Sequence, residues 1–296
     1  YEIGVRLVGS EMCIRDSMNN AYGLQAVQEA NLKILKEIHR ICEKYRISYA
    51  LDSGTLLGAI RHGGFIPWDD DADIVMTRNQ WEAFRKVAPR ELCEGMHLLL
   101  PESFQGGRRF YDFTPRIIYE YSRRRNPDAE TAYYEEKLNH LWVDIFILDR
   151  LPDGQAGAHT LLEQKTLYAL AMGHRRTLNY GKYSLGQKSA VFLGSSAGKL
   201  VPMKKLFALQ DKVARRANKK QTAEWYYSNY DPGYIDIRLP DAVAQERIQI
   251  RFEDCTLCIP KHYDEVLTKI YGDYMQLPPK EERRPSHEST GIQIYG

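Results

Sequence analysis

Apolar positions at Leu24, Val27, Leu32, Leu35, Ile38, Ile41 and Cys42 recur at helical spacing, with charges on the opposite face. That pattern predicts an amphipathic helix over residues 24–45. A short strand follows at 47–51 and is broken by Asp52-Ser53-Gly54, after which Leu56, Leu57 and Ile60 mark a short helix over 55–61. Residues 62–67, HGGFIP, read as a loop, 71–76 as a strand and 79–88 as a helix carrying Trp81, Phe84 and Val87. Further strands are expected at 97–100 and 114–121, and the strongest at 141–148, where LWVDIFIL is nearly all apolar except for Asp144. Pro152-Asp153-Gly154 marks a turn. Beyond it, helices are expected at 159–178 and 204–220, joined by a Gly/Ser/Lys-rich connector over 180–198. A hairpin around Asp254 spans 248–259, and a short amphipathic helix covers 263–271. The organisation is α/β (α+β): a small mixed sheet flanked by helices over 18–153, then a mostly helical region over 154–296 that packs on the core and completes the substrate site.

Composition narrows the class. The chain has 296 residues, 43% hydrophobic and 27% charged, which fits a globular protein and excludes collagen-like, disordered and disulfide-scaffold classes. The formal net charge of +2 gives no global field for nucleic acid. No apolar run reaches the ~18–20 residues of a membrane span, and the first 30 residues hold no uninterrupted apolar stretch, so no signal peptide is expected. Five cysteines, an odd number, point to reduced thiols and a cytoplasmic setting.

Residues 1–17 stand apart. The stretch RLVGSEMCIRDS has neither hydrophobic period nor capping logic. It resembles the in-frame translation of a transposase adapter from sequencing libraries, in which GAG-ATG-TGT-ATA-AGA-GAC-AG encodes EMCIRDS. It is therefore set outside the fold as an expected artefact, disordered, with the genuine chain beginning near Met18. The remainder then carries +3.

The chemistry concentrates in LDSGTLLGAIRHGGFIPWDDDADIVM, residues 51–76. Asp69, Asp70, Asp71 and Asp73 place four acids in five positions. Strand alternation would put Asp69, Asp71 and Asp73 on one side and Asp70 opposite, as a structural residue. Carboxylates this close repel one another and favour a hard divalent cation such as Mg²⁺ or Mn²⁺. Asp144 is a lone acid in an apolar strand, costly to bury without a partner or a metal. An adjacent strand would bring it to Asp71 and Asp73 as a metal-binding triad. Ser53, Gly54 and Thr55 open a helix whose N–H groups and hydroxyls can hold phosphate oxygens. Arg61 and His62 lie in the following loop, and Arg116, in the TPRII strand, needs an anion. This ordered set is a nucleotidyltransferase pattern.

The segment GTLLGAIRHGGFIPWDDDADIVM resembles the signature of the LicD/fukutin-type phosphotransferases. The tail IPKHYDEVLTKIYGDYMQLPPKEERRPSH, residues 259–287, is similar to that family's C-terminal block. Ala72 stands where the family usually has a larger aliphatic residue. The resemblance implies a nucleotidyltransferase-like fold. It also implies transfer of phosphocholine, or a related phospho-alcohol such as ribitol phosphate, from a CDP-activated donor to a hydroxyl of a cell-surface glycan. In that reading Asp71, Asp73 and Asp144 hold Mg²⁺, and one of them or Asp69 accepts the acceptor's proton. Ser53, Gly54 and Thr55 position phosphate oxygens, while Arg61, His62 and Arg116 offset charge as CMP leaves. Two rivals share the residues: a nucleotidyltransferase moving NMP from NTP, and an inactive module scaffolding glycan assembly.

Other features have plainer readings. Phe65 and Trp68 are expected to pack beneath the loop rather than stack on a base. Cys255 and Cys258, on a strand, would point to opposite faces, which disfavours zinc. The cations of 204–220 allow peripheral contact with an anionic membrane or a polyanionic acceptor. Twenty tyrosines, including Tyr226-Tyr227 and Tyr180/Tyr183, suit sugar stacking or half-buried packing.

Overall fold

The computed structural model describes residues 22–295 apart from 109, 128–132, 176–177, 179, 183 and 286–290. The adapter-like segment 1–17 and Tyr183 therefore lie outside the described residues. The chain begins with α1 (Gln25–Tyr45), β1 (Ala50–Leu51), α2 (Ser53–Arg61), β2 (Asp73–Thr77), α3 (Arg78–Glu91) and β3 (Met96–Leu99). Strands β4 (Arg116–Tyr119), β5 (Ser122–Arg124) and β6 (Leu141–Leu151) follow. Helices α4 (Gln155–Ala171), α5 (Leu185–Gly198) and α6 (Met203–Ala214) come next. The chain then forms β7 (Glu224–Tyr227), β8 (Arg238–Pro240), β9 (Arg247–Phe252), β10 (Cys255–Pro260), α7 (Tyr263–Tyr271) and β11 (Ile292–Ile294).

One mixed sheet organises the molecule, with strand order β1-β2-β6-β4-β3 and with β7 and β8 extending from the far end of β6. Strand β6 is its spine. It runs parallel to β2 on one side and antiparallel to β4 and then β7 on the other. A strand enclosed in this way explains the nearly continuous apolar run: Val143, Ile145, Phe146, Ile147 and Leu148 are all buried. Each such side chain contributes about 1.5–3 kcal/mol by leaving water. Helix α1 covers the sheet with Val27, Leu35, Ile38 and Ile41 of the predicted stripe, but Ile34, not predicted, is buried where Leu32 is only half-buried.

The structure revises several boundaries. Strand β2 starts at Asp73, not 71, because its ladder with β6 begins there and its ladder with β1 at Ile74. Alternation therefore does not govern residues 69–72. Helix α4 stops at Ala171, and α6 ends at Ala214 in a 3-10 turn, Arg215–Ala217. The expected connector over 180–198 contains α5, held by a capping box at Ser184 and Gln187. Strand β7, WYY-rich and too short to show alternation, was not foreseen, yet it joins the main sheet. The sheet thus draws strands from both sides of residue 153. The hairpin β9–β10 and helix α7 lie where the pattern puts them. Among the described residues no helix is long and apolar enough to cross a membrane, and Cys42, Cys93, Cys255 and Cys258 are free thiols.

Candidate active site

A cleft of about 410 Å³ opens at the N-terminal end of β2, and Ser53, Gly54, Asp69, Asp71, Asp73, Arg116 and Asp144 all line it. The topology explains the convergence. The parallel register of β2 and β6 sets Asp73 directly beside Asp144, about seventy residues later in the chain. The antiparallel register of β4 sets Arg116 on the other flank of Asp144. The backbone locks this corner: the Asp144 N–H donates to Ala72 O at 3.1 Å, and the Asp52 N–H to Asp73 O at 3.1 Å.

The acidic run before β2 is held from α1. Gln28 Nε2 donates to Ile66 O (3.0 Å) and Asp69 O (2.9 Å), and Asn31 Nδ2 reaches Asp70 O at 3.5 Å. Both amides sit on the buried face of a helix that reads as plainly amphipathic, so the pattern gives no hint of their role. One carboxylate oxygen each from Asp69, Asp70 and Asp71 lies within 4.8 Å of the other two. Asp70 is buried and does not line the cleft, yet its carboxylate is not turned opposite to its neighbours. It can turn that way because residue 70 precedes the strand.

The electrostatics are those of crowded acids. Burial, then the charge of Asp71, pushes the Asp69 carboxyl well above the usual carboxylate range. Asp73 is pushed the same way by burial, then by Asp71 and Asp144. Asp69 Oδ2 is buried and has no hydrogen-bond partner. An orphaned carboxylate oxygen inside a cluster of like charges fits a hard divalent cation, which takes oxygen ligands and relieves the repulsion.

Asp144 is not a lone acid. Its Oδ1 accepts Arg116 Nε at 2.7 Å, and its Oδ2 accepts Trp142 Nε1 at 3.2 Å. Burial raises its carboxyl while Arg116 pulls it back. Burial disfavours the Arg116 charge, but Asp144 and Asp112 more than offset this and raise its pKa. Arg116 Nη2 also donates to Asp112 Oδ2 at 2.6 Å, and its guanidinium lies 5.0 Å from the Trp142 ring centroid. Each oxygen of Asp144 keeps a second lone pair for a further partner.

The remaining expected residues divide. Ser53 lines the cleft with φ at 48°, a left-handed conformation unusual for a residue with a side chain. Its hydroxyl lies 3.1 Å from Tyr230 Oη. Gly54 is required by close approach, since a Cβ there would stand 2.7 Å from Asp69 Oδ2. Thr55 lies behind the cleft, and its hydroxyl accepts the Asp73 N–H at 2.9 Å, bracing the strand. Arg61 faces a second cavity of about 520 Å³ and donates to Tyr274 O at 2.8 Å. His62 meets Trp68 edge-on and lines neither cavity. Trp68 lines the second cavity, with the Arg283 guanidinium over its ring. Phe65 is buried against Phe252, as packing requires. Gly54, Asp69 and Tyr271 line both cavities and so connect them.

Several lining residues escaped the sequence reading. Asp112 and Thr114 precede Arg116 on its own strand approach. Tyr168, Tyr230, Tyr234 and Tyr271 arrive from distant elements and form an aromatic wall. Tyr230 stacks between Phe146 (3.7 Å between centroids) and Tyr234 (4.0 Å). The excess of tyrosine was the one available signal, but it carried no position.

Comparison with known proteins agrees with this corner of the fold. Residues 46–153 match the LicD/FKTN/FKRP nucleotidyltransferase domain, a span that begins just before β1 and ends just after β6. The lipopolysaccharide cholinephosphotransferase LicD of Haemophilus influenzae is 31% identical over 274 residues, covering 89% of this chain and 96% of that one. An uncharacterised protein of Rickettsia prowazekii is 40% identical over 123 residues, 41% of this chain and 40% of its own.

Proposed function

This chain belongs to the LicD/FKTN/FKRP family, and on that premise we propose that it moves phosphocholine, or a related phospho-alcohol, from a CDP-activated donor to a hydroxyl of a cell-surface glycan. The observation that carries the reading is the meeting of Asp69, Asp71 and Asp73 with the Arg116–Asp144 pair in one cleft. Such a site suits a diphosphate donor: acids for a cation, and an arginine for the phosphate charge the cation leaves.

A divalent cation, Mg²⁺ or Mn²⁺, held by Asp71 and Asp73 with Asp144 beside them, would neutralise the donor diphosphate. The chain's own groups do the rest. The acceptor hydroxyl oxygen bonds to the phosphorus carrying the alcohol, and the bond from that phosphorus to CMP breaks in line. The hydroxyl proton passes to one of the cleft carboxylates. Arg116 stabilises charge on the departing CMP, and Ser53 with the Gly54 N–H meets phosphate oxygens. Tyr168, Tyr234 and Tyr271 provide an aromatic surface that suits a quaternary ammonium group. The second cavity, joined at Asp69, gives the acceptor its approach.

A mass-spectrometric screen tests the reading, with CDP-choline, CDP-ribitol and CDP-glycerol as donors and lipopolysaccharide as acceptor. Acceptor modification with CMP release from one donor is expected. Pyrophosphate release from CTP, with no CMP from any CDP-alcohol, would instead establish the nucleotidyltransferase rival.

A further inference from the structure

Helix α5 is built inside out. At its C-terminal end small residues face the protein: Ser195 and Gly198 are buried and Gly194 is half-buried, while Gly186, Ser189, Ala190, Ser196 and Ala197 are exposed. A Cβ on Gly194 would stand 2.9 Å from the Ala169 Cβ, and one on Gly198 would collide with the Leu170 carbonyl. The helix therefore packs on α4 through a face that tolerates nothing larger than glycine or serine. Its large apolar residues point outward. Leu185, Phe192 and Leu193 are 84%, 59% and 68% exposed, and Leu200, just beyond the helix end, is 86% exposed. Leu185 and Phe192 are seven residues apart, two helical turns, and Leu193 adjoins Phe192, so these three side chains share one side of the helix, with Leu200 following its end. A globular helix normally buries such a stripe, and contiguous exposed apolar surface marks an interaction site.

The charge around the stripe selects the partner. Between Glu163 and Asp211 the chain holds no acidic residue and eight lysines and arginines. Lys199, at the end of α5, and Lys204 and Lys205, in the first turn of α6, are exposed beside the stripe. Exposed apolar side chains in a stretch of sequence that carries lysines and no acid are the composition of a helix that lies in a membrane interface.

We propose that α5 and the start of α6 form a docking surface for an anionic phospholipid bilayer, with Leu185, Phe192, Leu193 and Leu200 entering the headgroup–acyl boundary. The site lies outside the cleft, and it holds whichever donor the cleft takes. Its effect on the cleft runs through α4, which packs on α5 and carries Tyr168 into the lining. Docking would bring the enzyme to acceptors embedded in that surface.

The test is flotation of the full chain with phosphatidylcholine vesicles, with and without phosphatidylglycerol, beside light scattering of the free protein. The wild type should float with the anionic vesicles, release in high salt, and bind neutral vesicles weakly. Phe192→Ser/Leu193→Ser and Lys204→Glu/Lys205→Glu should each reduce anionic-vesicle binding about tenfold or more while leaving the melting temperature unchanged, because these side chains are exposed. Absence of flotation with anionic vesicles would overturn the proposal. So would undiminished binding by the Phe192→Ser/Leu193→Ser variant. A stable dimer that this variant converts to monomer would also overturn it, since the stripe would then be covered by a second copy.

Discussion

Arg116 Nε lies 2.7 Å from Asp144 Oδ1, on neighbouring strands at the same register position. The pair makes Asp144 unlike Asp69 and Asp73, whose carboxyls are pushed up by burial and by neighbouring acids. Removing Asp144 leaves a buried guanidinium with Asp112 as its remaining partner. Asp144→Ala should therefore abolish turnover and also destabilise the metal-free protein. Breaking a buried pair costs about 3 kcal/mol, a fall in Tm of roughly 5–10 °C for a chain of this size. Thermal melts in chelator check this. An unchanged Tm would mean that the ion pair adds nothing to the fold.

Asp71→Asn and Asp73→Asn should behave differently. Each removes one negative charge from a crowded cluster of acids, so the metal-free protein should keep or gain stability. Turnover should vanish if the proposed cation site is right, because each variant removes one of its carboxylates. Parallel melts and turnover assays separate these variants from Asp144→Ala.

The contrast shows how much of the site the sequence carried. Asp69, Asp71, Asp73 and Asp144 were legible because four acids before an apolar strand, and one acid within another, have few plain explanations. The adjacency of the two strands was legible too, and the Asp73–Asp144 register bears that out. The partner of Asp144 was not, because the sequence shows only that Arg116 needs an anion, and it is the strand register that sets it opposite Asp144. Thr55 and Arg61 sit on a helix that does begin beside the cleft. Which residues of that turn face inward depends on the Asp73 N–H claiming the Thr55 hydroxyl. Helix α5 was hidden by its glycines and serines, which signal a linker until something packs on them.

Gly54→Ala tests close approach. The new methyl would stand 2.7 Å from Asp69 Oδ2, so the carboxylate must move. We expect turnover to fall by at least about tenfold, since misplacing a reacting group by an ångström has large effects. Circular dichroism should remain native. Native turnover would show that the position of Asp69 over Gly54 is immaterial.

Asp52 gives a pH prediction. Its carboxyl is buried and accepts Tyr227 Oη at 2.9 Å. Burial pushes its pKa up to about 6 from an ordinary 3.8, despite the hydrogen bond from Tyr227. A raised folded-state value means that the native protein favours the protonated acid. The stability it contributes is fully present below pH 3.8 and is lost as pH rises through about 6. Asp52→Asn keeps an acceptor for Tyr227 without the charge. Its Tm should exceed that of the wild type above about pH 6, with the gap closing toward pH 3.8. A gap independent of pH would assign the effect to packing instead.

The central claim is that the carboxylates at the N-terminal end of β2 carry out cation-dependent transfer from a CDP-alcohol. The most direct measurement is CMP release from CDP-choline with lipopolysaccharide present, in Mg²⁺, in chelator, and with Asp73→Asn. The account predicts release that requires both acceptor and Mg²⁺, disappears in chelator, returns when Mg²⁺ is restored, and is absent from Asp73→Asn. Acceptor-dependent CMP release that persists in chelator, or at an undiminished rate in Asp73→Asn, would contradict it.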